Sequence, residues 1–435
     1  MPTTPSRRSR RPIAFIGLLT VVLLVAACGS GTPSASPTGS AAPSTAPIAS
    51  TPPTAAPTTV SVDDVYDAIE AQVSDIRGLE ASRPVERQFI TSDELRAMLT
   101  QQYDEDAPPA YVAATEQLYR ALGLIPADAS LRDLTLDLLG GGVIGFYRQD
   151  QGKLYVLSES GAPGGNERFT FAHEYDHALQ DQNFTVFKDQ DGVLDQSDRI
   201  LARQAVYEGD ATLLMTQWAA GNLTPEQLLE IVSAASDPEV AAVLGRTPAI
   251  LRVPLEFPYS TGLGFVQGLS ATGDWAAVDK AYARMPDSTE QILHPEKYAS
   301  AEAPVKVALP ADLATRLGAG WTVPLQDTFG ELQLGIWLHE GGVETTAANA
   351  AAAGWGGDRL AVLDGPGDTW AVVMDTAWDT EADAEAFEHA ATTALGKAGG
   401  EARVLPGAGG KTRWVVVAND AKTLGQVSGA LGLAG

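Results

Sequence analysis

The stretch Phe169–Phe184, FTFAHEYDHALQDQNF, decides how the rest of the sequence is interpreted. It places His173 and His177 four residues apart, with Glu174 directly after the first, in a chain that contains only five histidines. No glycine or proline interrupts Arg168–Asn183, which predicts a helix. In a helix the two imidazoles stand on one face and can reach one metal ion, whereas Glu174 lies about 100° around the axis. The spacing therefore predicts a metal site with a carboxylate beside it.

A third protein ligand is needed, because a catalytic zinc ion usually has three protein ligands and one open position. The segment RILARQAVYEGDATLLMTQW, residues 199–218, predicts a helix with Glu208 on its mostly apolar stripe. A carboxylate there would be strongly destabilising unless it met a cation. We therefore predict Glu208 as the third ligand, with Asp181 and Asp210 as alternatives. Gly209 lowers helix propensity and predicts the close approach of another backbone, such as the HEYDH helix.

Residues 1–27 have the pattern of a signal peptide. Basic residues precede the apolar run IAFIGLLTVVLLVAA, which is short for a membrane span and ends at Cys28. The sequence VAAC resembles a bacterial lipobox, which implies cleavage before Cys28, lipid attachment to its thiol and a location on the outer face of the bacterial cytoplasmic membrane. An uncleaved anchor and a plain secretory signal are the alternatives. Residues 28–60, rich in Ser, Thr, Ala, Pro and Gly, predict a disordered tether.

Composition narrows both the chemistry and the partners. Lys and Arg total 29 against 55 Asp and Glu, a formal net charge of −26, so a nucleic-acid partner is not expected. Such a surface also repels anionic lipid, so membrane attachment is expected through the lipid on Cys28. Because Cys28 is the only cysteine, no other thiol can form a disulfide or ligate a metal. Catalysis must then use histidines, carboxylates, hydroxyls or a cofactor.

The remainder of the chain predicts an α+β fold in two parts. Residues 61–354 are expected to form a mainly helical domain with a small β-hairpin or sheet. Helical spacing of apolar residues at 62–76 and the capping-box register of Thr91 and Glu94 predict early helices, and two apolar runs around Asp150–Gly152 predict the hairpin. Residues 355–435 predict a small α+β module in which nothing has the spacing of metal ligands.

The motifs together resemble a known family. HEYDH with the segment EGDA at 208–211 resembles the gluzincin arrangement of zinc metallopeptidases, in which a following helix supplies the third ligand. The chain also resembles uncharacterised bacterial lipoproteins that carry an HEYxHALQDQ helix and a downstream STEQILHPEKY segment, here Ser288–Tyr298. The resemblance implies a zincin-like metallopeptidase domain in which His173, His177 and Glu208 bind Zn²⁺ and Glu174 acts as the general base.

The same resemblance implies a donor that stabilises the oxyanion formed during hydrolysis of a peptide or protein substrate. Tyr207 and His294 are the candidates, together with Tyr298. Two residues depart from the family pattern. Asp176 is acidic where gluzincins more often have a hydroxyl or an apolar residue, and Asp210 is offset by two positions from Glu208 and points to another side of its helix.

A different class of function is also compatible with the sequence. A catalytically inactive, metal-stabilised envelope lipoprotein that acts as a binding or scaffolding module would need the same ligands but no turnover. His339, near the end of a predicted helix, and His389, on a polar helix face, need no catalytic explanation. Metal content together with turnover of a peptide library separates the two classes.

Overall fold

The computed structural model describes residues 61–140, 145–157, 163–184 and 193–433. The predicted signal peptide, Cys28 and the tether lie outside the described residues. Over the described part the fold is α+β, as predicted. None of its helices combines the length and the apolar character that a membrane crossing requires.

Helices form most of the described chain. Their bounds are α1 Val62–Arg77, α2 Ser92–Asp106, α3 Pro109–Ala121, α4 Leu131–Gly140, α5 Gly165–Asn183, α6 Ser197–Asn222, α7 Pro225–Ala235, α8 Pro238–Arg246, α9 Ala249–Phe257, α10 Leu263–Ala283, α11 Thr289–Leu293, α12 Pro295–Ala299, α13 Leu313–Leu317, α14 Gly330–Glu340, α15 Thr345–Ala352, α16 Glu381–Ala394 and α17 Ala421–Leu431. A π-helix, Pro258–Gly262, joins α9 to α10, and a 3₁₀ turn, Leu395–Lys397, follows α16.

The strands form two sheets. Their bounds are β1 Glu86–Ile90, β2 Gly145–Arg148, β3 Lys153–Leu157, β4 Thr322–Asp327, β5 Trp355–Asp364, β6 Trp370–Trp378, β7 Glu401–Pro406 and β8 Thr412–Ala418. The first sheet has the order β1-β3-β2, with β1 parallel and β2 antiparallel to β3, so the predicted hairpin is confirmed. The second sheet is antiparallel throughout, in the order β4-β5-β6-β8-β7.

Two predicted helix starts are confirmed by their caps. Ser61 and Asp64 form a capping box at the start of α1, and Thr91 and Glu94 form one at the start of α2. Each box satisfies backbone N–H groups that a helix end otherwise leaves without a partner. The apolar face of α1 packs on α5, and the helix ends at Arg77, whose side chain is buried.

The HEYDH segment lies in α5, which extends over the predicted range and begins three residues earlier, at Gly165. A single hydrophobic cluster surrounds it, with members from α1, β2, β3 and α6 as well as from α5 itself. The enclosed helix is nevertheless rich in polar residues, and His173, Glu174, Asp176, His177 and Gln180 are all buried in it. The enclosure explains why α5 is buried from Phe169 to Gln180.

The C-terminal sheet begins before the predicted boundary at residue 355. Strand β4 pairs antiparallel with β5, with Leu325 opposite Val362, and it adds an edge that residues 355–435 do not contain. Strand β7 forms the opposite edge of this sheet. Side chains from α3 and α14 lie in one hydrophobic cluster with this sheet, Leu118 and Trp337 among them. The sheet therefore shares a core with the helical body.

Gly209 marks a close backbone contact, as predicted, but its neighbour is the π-helix and not α5. A Cβ at Gly209 would lie 2.5 Å from the carbonyl oxygen of Gly262, and a Cβ at Gly262 would lie 2.4 Å from the carbonyl oxygen of Ala205. Only glycine permits two helical backbones to approach this closely. The contact brings the π-helix against the turns of α6 that carry Glu208.

We expect Gly209→Ala to destabilise the protein by about 1–3 kcal/mol, because the added methyl group overpacks this contact. Gly221→Ala is the matched control, since Gly221 lies in the same helix with nothing near its Cβ position; it should be neutral or stabilising by up to about 1 kcal/mol. Urea denaturation measures both free energies of unfolding. An equal loss in the two variants would contradict the close approach.

The C-terminal sheet contains a carboxyl group, Asp375, that binds a proton more readily in the folded protein than in the unfolded chain. Burial, with a further contribution from the charge of Asp358, raises the pKa of Asp375 on β6 to about 6. Because the unfolded chain has a pKa of about 3.9 for this group, its contribution to stability is complete below about pH 4 and is lost as the pH rises through 6. Asp375→Asn should therefore match the wild-type melting temperature at pH 4 and exceed it at pH 8. An offset that is the same at both pH values in differential scanning calorimetry would contradict this assignment.

Candidate metal centre

Helices α5 and α6 bring the three predicted ligands together. His173 Nε2 lies 3.1 Å from Glu208 Oε2. His177 Nε2 lies 2.9 Å from His173 Nε2 and 3.3 Å from the same carboxylate oxygen. All three side chains are 0% exposed. Each offers one ligand atom to a common point, so the group could hold a metal ion.

The donor set fits a small divalent cation. Bonds of ~2.0–2.2 Å at tetrahedral angles place neighbouring ligand atoms ~3.3–3.5 Å apart. The observed separations of 2.9–3.3 Å are close to this, so a small outward shift would admit the ion. Two imidazole nitrogens and one carboxylate oxygen are a donor set that zinc commonly has at sites with an open position.

A proton balances the buried charges in the absence of a metal. Burial lowers the pKa of His173 to about 4, so this ring is neutral. Burial is the largest single influence on His177 and acts to lower its pKa, but the charge and hydrogen bond of Glu208, the charge of Glu174 and the hydrogen bond of Gln180 together raise the pKa to about 9. Burial opposes ionisation of Glu208, yet the nearby charge and hydrogen bonds of the histidines lower its pKa to about 2. A metal ion must displace the proton on His177, so metal affinity should fall with falling pH.

Gln180, one turn after His177, orients that ring. His177 Nδ1 lies 2.9 Å from Gln180 Oε1. The amide nitrogen of Gln180 donates to Asp176 Oδ2 at 2.9 Å and to the backbone carbonyl of Tyr207 at 3.0 Å. Because that carbonyl can only accept, the oxygen of the amide must face His177. Nδ1 therefore donates to Gln180, and Nε2 is the nitrogen directed at the ligand cluster.

Arg77 at the end of α1 joins the two helices that carry the ligands. Its Nε and Nη2 donate to the two oxygens of Asp210 on α6, each at 3.0 Å, and its Nε lies 4.0 Å from Asp176 Oδ1 on α5. Nη2 also contacts Asp279 at 2.8 Å, and Tyr282 donates to Asp210 at 2.5 Å. Asp210 thus belongs to a buried ion-pair network behind the ligands. Asp176 borders this network, and burial together with the charge of Asp210 raises its pKa to about 8. These two residues are the departures from the family pattern.

Neither alternative to Glu208 joins the ligand cluster. Asp210 is held by Arg77. Asp181 accepts hydrogen bonds from Arg83 and from the hydroxyl of Tyr147, both at 2.8 Å. Within the part of the chain that the structure describes, the metal-ligand group around the two histidines contains Glu208 and neither of these aspartates.

Glu174 lies beside the cluster, on the side of α5 that faces the edge strand β2. Its Oε2 accepts a hydrogen bond from the backbone N–H of Tyr147 at 2.9 Å, and the side chain is 0% exposed. After the larger effects of burial and of Glu208, its charge also contributes to raising the pKa values of His177 and Tyr259. The carboxylate is therefore near the ligands without being one of them, as the helical offset predicts.

The predicted oxyanion donors lie in different places. Tyr207 is buried, with its ring edge-on to His177 at a centroid distance of 6.3 Å. His294 instead pairs with Glu331 of α14, with Nε2 at 2.8 Å from Oε1. Tyr298 donates to the backbone carbonyl of Arg284 at 2.8 Å.

The segment that carries His294 and Tyr298 is tied into another part of the fold. The Nζ of Lys297 in the same segment lies 2.6 Å from Glu290, 3.1 Å from Glu302 and 2.6 Å from Asp379. Glu290, Glu302 and Asp379 are close enough together to be considered as metal ligands, but they surround the ammonium group of Lys297. Asp379 follows strand β6, so Ser288–Tyr298 links the helical body to the C-terminal sheet.

Tyr259 is a site residue that the sequence did not predict. It lies in the π-helix, is 7% exposed, and has its ring centroid 6.2 Å from that of His173. Burial, together with the nearby charges of Glu208 and Glu174, keeps the pKa of its hydroxyl well above the usual value. It therefore remains a proton donor. The signal for it was Pro254 and Pro258, four residues apart in an apolar run, because an interrupted helix of this kind often lies at a functional site.

Comparisons with known proteins find similarity over only part of the chain. A family model for a domain of unknown function (DUF8575) matches residues 317–429, the region of the C-terminal sheet. No curated protein matches the chain. A protein from Chloroflexus aurantiacus whose crystal structure is described as a "putative hydrolase with a novel fold" is similar at 18% identity and a TM-score of 0.34, over 55% of this chain and 88% of that one. Matches at this level assign no activity, so function must be argued from the geometry of the metal centre.

Gln180→Met should weaken zinc binding about 10- to 100-fold, because it removes the acceptor that orients His177 while it roughly keeps side-chain length. Gln182→Met is the control on the same helix; its side chain bonds to Ser82 and Arg83 at the surface and should leave the affinity within about twofold. Competition with a chelator of known affinity measures both. An unchanged zinc affinity for Gln180→Met would contradict the role given to this amide.

Proposed function

We propose that this protein is a zinc-dependent metallopeptidase. The observation that carries the proposal is the buried group of His173, His177 and Glu208, with Glu174 next to it and not within it. Three protein ligands leave one coordination position for water or substrate, which is the pattern of catalytic and not of structural zinc sites. The resemblance of HEYDH and the following EGDA segment to gluzincins supports the same assignment.

A zinc ion held by these three residues would lower the pKa of a bound water and polarise a substrate carbonyl. Glu174, which lies beside these residues, would accept a proton from the attacking water and pass it to the leaving amine. The backbone N–H of Tyr147 orients its carboxylate at 2.9 Å. The phenol of Tyr259, which stays protonated, supplies the donor for the oxyanion. In this mechanism Tyr259 takes the role that the sequence offered to Tyr207 and His294.

The proposal extends to where the enzyme acts. Export by the signal peptide of residues 1–27 and lipid attachment at Cys28 would place the catalytic body on the outer face of the cytoplasmic membrane, where the acidic surface favours solubility. The partners are then a peptide or protein substrate and the membrane. A net charge of −26 argues against nucleic acid.

One observation favours the second candidate, a metal-stabilised binding or scaffolding module. The ligands and Glu174 are all 0% exposed, which is the environment of a metal that stabilises a fold. The number of ligands favours the peptidase, because structural zinc sites usually have four protein ligands and this group has three among the described residues. Turnover distinguishes the two.

Glu174→Gln should keep zinc at wild-type stoichiometry and lower peptide hydrolysis by about 10²- to 10⁴-fold, because the amide can still accept from Tyr147 but cannot take a proton. Elemental analysis gives the metal content, and digestion of a peptide library gives the turnover. His173→Ala is the companion variant and should lose both. Stoichiometric zinc in a wild-type protein that cleaves no peptide would favour the binding module, and equal hydrolysis by Glu174→Gln would remove the proposed base.

A further inference from the structure

An apolar cavity lies between α3, α4, α6 and α9. It has two neighbouring lobes with volumes of about 240 and 220 Å³. The lobes share walls made by residues from all four helices, which are Tyr111, Tyr119, Thr135, Ser197 and Leu251. None of the metal ligands forms part of these walls.

The first lobe lies next to the metal centre along two helices. Gln204 in its wall precedes Glu208 by four residues on α6, so it lies on the same face, about 6 Å along the axis. Leu255 in its wall precedes Tyr259 by four residues. Two of the helices that form this lobe, α6 and α9, thus lead directly to Glu208, the predicted ligand, and to Tyr259, the proposed oxyanion donor.

The chemistry of the walls selects an uncharged ligand. Leucine, isoleucine, proline and tyrosine side chains dominate the first lobe, and none of its described lining residues carries a charge. The second lobe is lined by one carboxyl group, Asp106, whose pKa is raised to about 6 by burial. A cavity of about 150 Å³ is enough to bind benzene. Each lobe can therefore contain one leucine, methionine or phenylalanine side chain.

We propose that this cavity is the specificity pocket of the enzyme and receives a large apolar side chain of the peptide substrate. The inference rests on the proposed peptidase function and names its substrate class. The second lobe, which shares walls with the first, gives room for another apolar residue. Peptides with a charged residue at the position that enters the first lobe should be excluded, because that lobe offers no group that compensates a buried charge.

Binding can be separated from turnover by using the full-length Glu174→Gln protein loaded with zinc. The probes are acetylated hexapeptide amides that are identical except for phenylalanine, leucine, alanine or lysine at one position, scanned along the peptide. At one position, phenylalanine and leucine should bind about 10- to 100-fold more tightly than alanine in calorimetric titrations, since burial of such a side chain stabilises by about 1.5–3 kcal/mol. Lysine there should bind no more tightly than alanine.

Thr135→Phe on α4 fills the shared wall and should reduce this preference to less than about threefold. Asp133→Phe, exposed on the same helix, is the control and should keep the preference. Leu251→Phe fills the same space from α9 and serves if Thr135→Phe does not fold. A preference that survives both filling variants, or equal affinities for phenylalanine and alanine at every position, would overturn the pocket. If the wild-type protein hydrolyses peptides without any side-chain preference, the pocket proposal is wrong and the peptidase proposal stands. If the Glu174→Gln protein binds peptides selectively but the wild-type protein hydrolyses none, the peptidase proposal is wrong and the pocket proposal stands.

Discussion

The candidate metal centre depends on one constraint, which is that the buried carboxylate of Glu208 needs a cation beside it. Glu208 is an ionised carboxylate with no exposed surface on an otherwise apolar stretch of α6, and such a group is strongly unfavourable without a cation. The two imidazoles supply one positive charge by binding a proton, and a divalent metal would supply two. The packing of α5 against α6 and the close contact at Gly209 keep the ligand oxygen where such a cation can reach it.

The ion-pair network behind the ligands solves a second problem of the same kind. Two helices that each present ligands must stay in register so that their ligand atoms remain next to one another. Arg77 contacts Asp176 on α5 and Asp210 on α6 and makes a two-point contact with the latter, which fixes orientation as well as distance. Gln180 then connects Asp176 to His177. The metal ligands are thus positioned from α1 through three side chains.

The parts of this arrangement that the sequence predicted are local. His173, His177 and Glu174 lie within one helical turn, so their geometry follows from the helix alone. Glu208 required only a second periodic segment. The local pattern did not predict Tyr259. Its position depends on the contact of Gly262 with α6, and no regular spacing in the sequence marks a contact between segments so far apart. Strand β4 was missed for a similar reason, since its partner β5 follows only after two intervening helices. The role of Gln180 could have been predicted from the sequence, because it lies three residues after His177 in the same helix.

The burial of the metal centre and the cavity beside it are consistent with one arrangement of the enzyme. Hydrogen bonds and charges aimed at a reacting group act most strongly where water is excluded, so full enclosure of Glu174 and the ligands favours the proposed chemistry once a substrate is present. A substrate still has to reach them. The first lobe of the cavity approaches the centre along α6 and α9, which carry the ligand and lead to the phenol. Binding free energy from an apolar side chain in that lobe could then be used to position the scissile peptide, so substrate selection and catalysis would depend on the same two helices.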